Sequence, residues 1–354
     1  MYNHGASLQA YALQTYLESL GHHVEIIDYK PDYLCGDYQL WSVNNPVFNR
    51  PLLKFLYLLA KTPQRLISFR RKYAFDHYTK QYLKLTAQCY HSNEELKSSP
   101  PQADVYIAGS DQIWNTLFQN GRDAAFYLDF APQTSKRISY AASFATEDVA
   151  EELKPFVRRM LQNFDTVSIR EQCSLPLLAS LGRTDGIAVC DPVFLLTRIQ
   201  WEDLLPQNRI HEKYLLVYDT EFSPKVKEIA KRIAKEKKLK IYNVSASRIG
   251  YADKDMWASS PMGFVQLIRD ASYVVSNSFH ASAFSIIFER DFCVINRSEG
   301  INERMKSLLS NFELEERLVS AYSEKILNPI DYQLVCPLVQ KDIEYSKEFL
   351  NQSL

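Results

Sequence analysis

The chain has 354 residues, more than one hydrophobic core usually covers, so two domains are expected. Hydrophobic residues make up 46% of the chain, enough to fill both cores. Lysine and arginine (41) balance aspartate and glutamate (42), for a formal net charge of -1. This balance argues against a protein that binds a polyanion over its whole surface, so no nucleic acid partner is expected.

The six cysteines are scattered, without the paired spacing typical of zinc sites or of a disulfide framework. They are expected to be reduced thiols in a cytoplasmic protein, and neither a metal nor another cofactor is predicted. No apolar run approaches the roughly 20 residues that span a bilayer, and no signal peptide is recognised at Met1. Any membrane contact is expected to be peripheral, at the inner membrane face.

Short apolar strands alternate with helices along the chain, a pattern typical of parallel sheets covered on both faces. In the first half, helices are predicted at 6–20, 148–163 and 172–181, and strands at 24–28, 105–108, 138–142, 167–170 and 187–189. In the second half, strands are predicted at 214–218, 240–244, 273–276 and 292–295, and helices at 224–236, 263–270, 281–289, 302–310 and 339–350.

Asp191-Pro192 separates these two series, and proline disfavours helix at the residue before it. The predicted domains are therefore residues 1–195 and residues 196–335, each a Rossmann-like domain. Residues 336–354 form a carboxy-terminal segment whose helix is expected to pack back on the first domain.

The predicted helix near the amino terminus follows a loop that contains Gly5, as helices do after the first strand of a doubly wound sheet, yet no strand precedes it. In such sheets the first strand is usually central, and without it the neighbouring strands lack hydrogen-bond partners. We therefore expect that the gene start is assigned late and that a short apolar strand is missing.

Residues 50–84 form a basic segment in which Asp76 is the only acid. Lysines and arginines alternate there with apolar residues, which predicts one or two amphipathic helices. Such helices suit an anionic membrane surface or a polyanionic acceptor. The alternative is a solvated helix pair whose apolar side packs on its own domain.

Two predicted strands end in polar clusters. The strand at 105–108 leads into Gly109, Ser110 and Asp111, and the strand at 273–276 leads through Ser278 into a helix that carries His280. Amides and the dipole at a helix N-terminus favour an anion, which predicts a phosphate or carboxylate site at the second cluster. The alternatives are a turn at the first cluster and a helix cap at the second.

Six stretches stand out along the chain: 3–13 (beginning Asn-His-Gly-Ala-Ser-Leu-Gln), 108–115 (Ala-Gly-Ser-Asp-Gln-Ile-Trp-Asn), 139–144, 168–171 (Ser-Ile-Arg-Glu), 191–196 (Asp-Pro-Val-Phe-Leu-Leu) and 278–281 (Ser-Phe-His-Ala). Together, in this order and over nearly the whole chain, they resemble the polysaccharide pyruvyl transferase family.

The resemblance implies an α/β, GT-B-like fold with two Rossmann-like domains facing across a cleft. It also implies transfer of a pyruvyl group from phosphoenolpyruvate to two hydroxyls of a saccharide, as a ketal. By position, Arg170 and His280 match places where the family is thought to hold the donor. Some members carry an arginine two residues before the histidine, where this chain has Ser278. The residue that serves as the second cationic anchor is therefore not identified, and Arg297, Arg290 and Arg248 are the candidates.

The chemistry needs an acid, a base and anion clamps. His280 is the predicted acid and Asp111 the predicted base. The donor is expected to contact Arg170, Ser276, Ser278, Phe279 and His280. The acceptor is expected to contact Asn3, Gly5, Gly109, Ser110, Gln112, Trp114 and Asn115.

Three of these residues, Arg170, Gly5 and Trp114, have structural alternatives of their own. Arg170 and Glu171 would form an exposed, weak salt bridge at a helix start, Gly5 would make a tight turn, and Trp114 would fill the core rather than stack on a sugar.

Two other functions use the same fold class. One is a nucleotide-sugar-dependent GT-B glycosyltransferase, for which only Glu299 or Glu303 offer a carboxylate for the ribose. The other is a non-catalytic glycan-binding homologue. The acceptor is a polysaccharide or a lipid-diphosphate-linked glycan, and its identity stays open at this point.

Overall fold

The computed structural model describes residues 2–35, 51–298 and 301–354. The helices are α1 (His4–Ser19), α2 (Asp32–Cys35), α3 (Pro51–Tyr82), α4 (Asn93–Ser98), α5 (Lys154–Leu161), α6 (Leu175–Ser180), α7 (Arg198–Asp203), α8 (Pro224–Lys237), α9 (Pro261–Asp270), α10 (Phe279–Ile287), α11 (Glu303–Asn311) and α12 (Tyr332–Ser353). The strands are β1 (Ile26–Tyr29), β2 (Leu85–Tyr90), β3 (Val105–Ala108), β4 (Lys136–Ser139), β5 (Ser168–Ile169), β6 (Ile187–Ala188), β7 (Tyr214–Tyr218), β8 (Lys240–Asn243), β9 (Lys254–Asp255), β10 (Tyr273–Ser276), β11 (Phe292–Ile295) and β12 (Leu318–Val319).

The carboxy-terminal half contains a parallel sheet in the order β12-β11-β10-β7-β8-β9. Counted along the chain from β7, and starting at β9, this order is 3-2-1-4-5-6, the Rossmann arrangement. Strands β7 and β10 are neighbours at the point where the strand order reverses, and both are buried along their length. Ligands of open α/β sheets bind outside the carboxyl ends of the strands at this point.

The strands of the amino-terminal half also pair in parallel, β1 with β2, β3 with β4 and β5 with β6. Backbone hydrogen bonds continue from β4 to β5, because Ser139 N donates to Thr166 O at 3.1 Å and Ala142 N to Ser168 O at 3.3 Å. The prediction of an α/β fold with parallel sheets is confirmed.

Several predicted boundaries differ from the structure. Strand β2 was not predicted, because its sequence shows no sustained alternation and only two of its six residues are buried. The helix predicted at 148–163 begins only at Lys154, where a proline occupies its first turn. The helix predicted at 172–181 divides into a 3₁₀ turn and α6.

The carboxy-terminal helix α12 contacts the amino-terminal half. Cys190 N donates to Ser346 Oγ at 2.8 Å, and the Phe349 ring packs on Tyr140. One buried apolar cluster includes residues of α1, α10 and α12, so it continues across the boundary proposed at 195/196.

The basic segment lies mostly in the single helix α3. Its residues Phe75 and Tyr78 are buried, and so is Arg71, which donates to Trp257 O at 2.9 Å. This part of α3 packs on its own protein, as the structural alternative states. Phe55 and Tyr73 are exposed. Among the helices of the described ranges, none is long and apolar enough to cross a membrane.

Asp342 on α12 gives the fold a pH dependence. Burial raises the pKa of its carboxyl from 3.8 to about 6. The folded state holds the Asp342 proton more tightly than the unfolded chain does. The protonated carboxyl therefore makes its full contribution to the free energy of unfolding below pH ~4, and this contribution is lost as the pH rises through ~6. We expect Asp342→Asn to be more stable than the parent at pH 8, by about 2 kcal/mol, and equal near pH 4. Urea unfolding at both pH values measures this.

Glu344→Gln is the matched control, since Glu344 is exposed on the same helix. Its unfolding free energy is expected to follow the parent at each pH. A parent-like value for Asp342→Asn at pH 8 would contradict the prediction.

Candidate active site

The polar cluster after β10 is held by hydrogen bonds within the carboxy-terminal sheet. Ser276 Oγ donates to Tyr218 O at 2.6 Å and accepts from Ser278 N at 3.0 Å. Asn277 Nδ2 donates to Asp219 Oδ1 at 2.7 Å, which ties the ends of β7 and β10 together. These bonds fix the start of α10, where His280 is the second residue.

Arg170 lies at the carboxyl end of β5 in a buried ion network. Its Nη1 is 2.8 Å from Asp191 Oδ2, and its Nε is 3.1 Å from Glu171 Oε1. Its guanidinium also lies over the Phe279 ring, 4.1 Å from the centroid. The interpretation of Arg170 and Glu171 as an exposed pair is wrong, because both side chains are at most 2% exposed.

His280 meets the same network through Asp191. Its Nε2 is 3.5 Å from Asp191 Oδ2, the oxygen that also receives Arg170. Burial would raise the pKa of Asp191, but His280 and Arg170 outweigh it and lower that pKa well below its usual range. Asp191 is therefore ionised and links the two sides of the cluster.

Gly5 leaves space for the His280 ring. A Cβ at residue 5 would lie 2.0 Å from His280 Nδ1, closer than any real contact. Gly5 is the second residue of α1 and has no positive φ, so the tight-turn interpretation is wrong. Because Gly5 has no side chain, the His280 ring can pack against the backbone of α1 at this position.

Arg304, near the start of α11, is the cationic residue that the sequence analysis missed. Its Nη1 is 4.0 Å from Asp111 Oδ1, and Arg170 Nη2 is 3.8 Å from the same oxygen. Burial and then repulsion from Arg170 lower the pKa of Arg304 to about 10, while Asp111 raises it. No motif surrounds Arg304, and only the packing of α11 brings it to the cluster.

Asp111 has a strained backbone, with φ at +72°. Its carbonyl accepts from Ile113 N and Ser143 N, and these bonds hold the turn. Aspartate tolerates this region better than most residues, but it still costs energy. The Asp111 carboxylate lies beside two guanidiniums, those of Arg170 and Arg304.

Two buried guanidinium nitrogens in the described part of this cluster have no hydrogen-bond partner, Arg170 Nη2 and Arg304 Nε. The His280 Nε2 atom has only the Asp191 carboxylate beside it, at 3.5 Å. Buried polar groups are normally satisfied, and a group of donors left open together is typical of a site that receives an anion.

The chain's family follows from a model of the polysaccharide pyruvyl transferases, which matches residues 3–299. The chain belongs to the polysaccharide pyruvyl transferase family. The resemblance inferred from six sequence stretches is thereby confirmed.

Solved structures similar to this pyruvyl transferase family member share little sequence with it. An uncharacterized protein from Klebsiella pneumoniae is 11% identical, with a TM-score of 0.41, over 71% of this chain and 86% of that chain. A UDP-GlcNAc 2-epimerase from Neisseria meningitidis, bound to UDP-GlcNAc, is 12% identical, with a TM-score of 0.44, over 80% of this chain and 90% of that chain. The search of curated proteins gives no match.

Two predicted acceptor contacts of this family member are wrong. Trp114 is fully buried, donates from Nε1 to Phe126 O at 3.1 Å and stacks on Tyr127, so it fills the core and cannot stack on a sugar. Asn115 is also fully buried and donates to Gln112 Oε1 at 3.0 Å. The sequence could not separate these positions from exposed ones, because they follow directly on the polar turn.

The other predicted acceptor residues lie in the loops around the cluster. Asn3 caps α1 by accepting from Ala6 N, and Ser110 Oγ donates to Asp191 Oδ2 at 2.8 Å. Gly109 faces α1, where a Cβ would lie 3.7 Å from Gln9 Oε1. Ser110 thus joins the Asp191 network directly, while Asn3 and Gly109 frame it.

The arginines considered as second anchors differ from Arg304 in their partners. Arg297 pairs with Glu221 at 2.9 Å, Arg290 donates to Phe288 O at 2.8 Å, and Arg248 is exposed. Arg304 alone of these four lies within 4.0 Å of Asp111 among the ion pairs of the described residues.

Of the carboxylates considered for a ribose, Glu303 pairs with Lys306, and Glu299 lies outside the described residues. Within the ranges that the structure describes, no group of three His, Cys, Asp or Glu side chains could hold a metal ion.

Proposed function

We propose that the protein transfers a pyruvyl group from phosphoenolpyruvate to two hydroxyls of a saccharide, forming a ketal and releasing phosphate. The observation that carries the proposal is the pair of open buried donors on Arg170 and Arg304, which lie beside Asp111, together with His280 beside Asp191. Membership of the family supports the same reaction class.

The donor binds through open N–H groups rather than through a large net positive charge. Three carboxylates, those of Asp111, Glu171 and Asp191, already surround the guanidinium of Arg170. Arg170 Nη2 and Arg304 Nε still offer donors that match carboxylate or phosphate oxygens. The amides at the start of α10 and the Ser278 hydroxyl hold the second anionic group. Ser276 is left out, because its only hydroxyl proton is donated to Tyr218 O.

His280 acts as the acid and Asp111 as the base. A proton passes to the methylene carbon, and one sugar hydroxyl attacks the central carbon and loses its proton to the base. The bond between that carbon and the phosphate oxygen then breaks, and phosphate leaves with the electron pair. The second hydroxyl attacks the same carbon and passes its proton to the deprotonated His280, which closes the ketal and restores the acid. The proton held by Asp111 leaves with the phosphate. Arg170 and Arg304 stabilise the charge that develops on the departing phosphate.

The architecture that fits this role is GT-B-like, with residues 1–195 on the acceptor side and 196–335 on the donor side. The acceptor enters past Asn3, Gly109 and Gln112, and a lipid-diphosphate-linked glycan would be met through the exposed part of residues 50–84. Reaction in the cytoplasm at the inner membrane face follows from such an acceptor.

The test is incubation of the purified protein with phosphoenolpyruvate and a panel of free and lipid-linked oligosaccharides, followed by phosphate release and mass spectrometry. We expect one phosphate per ketal formed. Phosphoenolpyruvate is also expected to raise the melting temperature, and Arg304→Gln to abolish that rise, while Arg248→Gln keeps it. A rise with sugar nucleotides alone would favour a glycosyltransferase, and a rise with glycans but no turnover would favour a binding protein.

A further inference from the structure

A cavity of about 580 Å³ separates β1 from β3 in the amino-terminal half. The two strands line it through residues 25–27 and 105–108. Leu13 and Leu17 of α1 also line it, and they belong to one apolar cluster, whereas the lining residues Leu128 and Phe130 belong to another. The cavity therefore lies between two apolar layers, as a buried strand does in a sheet covered on both faces.

The strand edges that face the cavity carry backbone groups suited to a ladder. Ile26 and Lys30 donate their amides to β2, so Ile27 and Tyr29 direct theirs to the opposite edge. By the same alternation, the register of β3 with β4 directs the amide of Ile107 away from β4. No pairing joins β1 to β3 within the described ranges. Two open edges therefore face each other across the cavity.

The carboxy-terminal sheet shows what occupies the equivalent place. There β7 lies between β8 and β10 and is followed along the chain by α8 and then β8. In the amino-terminal half the cavity lies between β1 and β3, and α1 precedes β1. The cavity thus corresponds to β7, whose five residues are all buried.

We propose that a parallel, apolar β-strand of about five residues fills this cavity, and that it is the segment that continues the chain on the amino-terminal side of Tyr2. Its carboxyl end leads into Asn3, the cap of α1. The amino-terminal strands then form one sheet in the order β2, β1, the added strand, β3, β4 and β5. Counted along the chain from the added strand, this is the order 3-2-1-4-5-6, the same as in the carboxy-terminal sheet. The strand also anchors the start of α1, and with it Gly5 against the His280 ring.

The test compares three forms of the full chain: residues 1–354, the same chain with a seven-residue valine- and isoleucine-rich extension before Tyr2, and a control extension of equal length with two central prolines. We expect the apolar extension to raise the melting temperature by about 5 °C over both other forms. Hydrogen exchange at Ile27, Tyr29, Val105 and Ile107 is expected to slow about tenfold or more. Proline removes donors, so its extension is expected to do neither.

Equal exchange at these amides in all three forms would overturn the proposal. Protection in the unextended chain that grows with protein concentration would assign the cavity to a strand of a second copy, and would overturn it as well. If the unextended chain is recovered only as aggregate, the soluble yields of the two extended forms are compared instead. Equal soluble yields of the apolar and proline extensions would contradict the proposed strand.

Discussion

His280→Gln is expected to lower turnover of phosphoenolpyruvate by about 100- to 10,000-fold, the range for loss of a general acid. Glutamine keeps a polar atom near the place of Nε2, 3.5 Å from Asp191, but cannot deliver a proton. The KM for phosphoenolpyruvate should change less than kcat, because Arg170 and Arg304 still hold the donor. Steady-state kinetics measure both, and a thermal melt checks that the variant is folded.

The same histidine can be displaced without changing it. Gly5→Ala places a Cβ 2.0 Å from His280 Nδ1, so the ring must move, and we expect a fall in kcat together with a loss of about 1–3 kcal/mol in stability. Gly250→Ala is the control, since nothing lies within 4 Å of its added Cβ. Parent-like kcat in both His280→Gln and Gly5→Ala would remove the acid role from this residue.

The sequence predicted the elements that carry strong local patterns. Continuous apolar runs gave β3, β7, β10 and β11 at the residues where they occur, because a strand buried on both faces reads as such a run. Weakly patterned β2 was missed, since its pairing with β1 and not its own composition makes it a strand.

The candidate site was predictable where it follows a strand end, and not elsewhere. Arg170 is the last residue of a predicted strand, Asp111 and His280 follow predicted strands within four residues, and the structure brings the three to one cluster. Arg304 lies near the start of a helix with no motif around it, so only tertiary packing reveals it. Trp114 shows the opposite failure, because a polar turn beside it gives no sign that its ring turns inward.

Arg170→Met is expected to cost about 3–5 kcal/mol of stability, because it leaves the carboxylates of Asp191 and Glu171 buried without their counter-charge. Urea unfolding measures this cost. Adding Glu171→Gln removes one of the stranded charges, so the double variant is expected to regain about 1–2 kcal/mol, a coupling typical of contacting residues. Single-variant stability within 1 kcal/mol of the parent would contradict a buried network.

Arg170→Lys separates the structural role of this residue from its role in donor binding. Lysine keeps a positive charge beside Asp191 and Glu171, so we expect most of the stability to survive. It lacks the planar fork that leaves Nη2 open toward the donor. We therefore expect kcat/KM for phosphoenolpyruvate to fall about 100-fold or more, whereas Lys at the exposed Arg248 keeps the parent value. Because a purely structural arginine would lose activity only in proportion to unfolding, a folded Arg170→Lys protein with parent-like kcat/KM would mean that another group binds the donor.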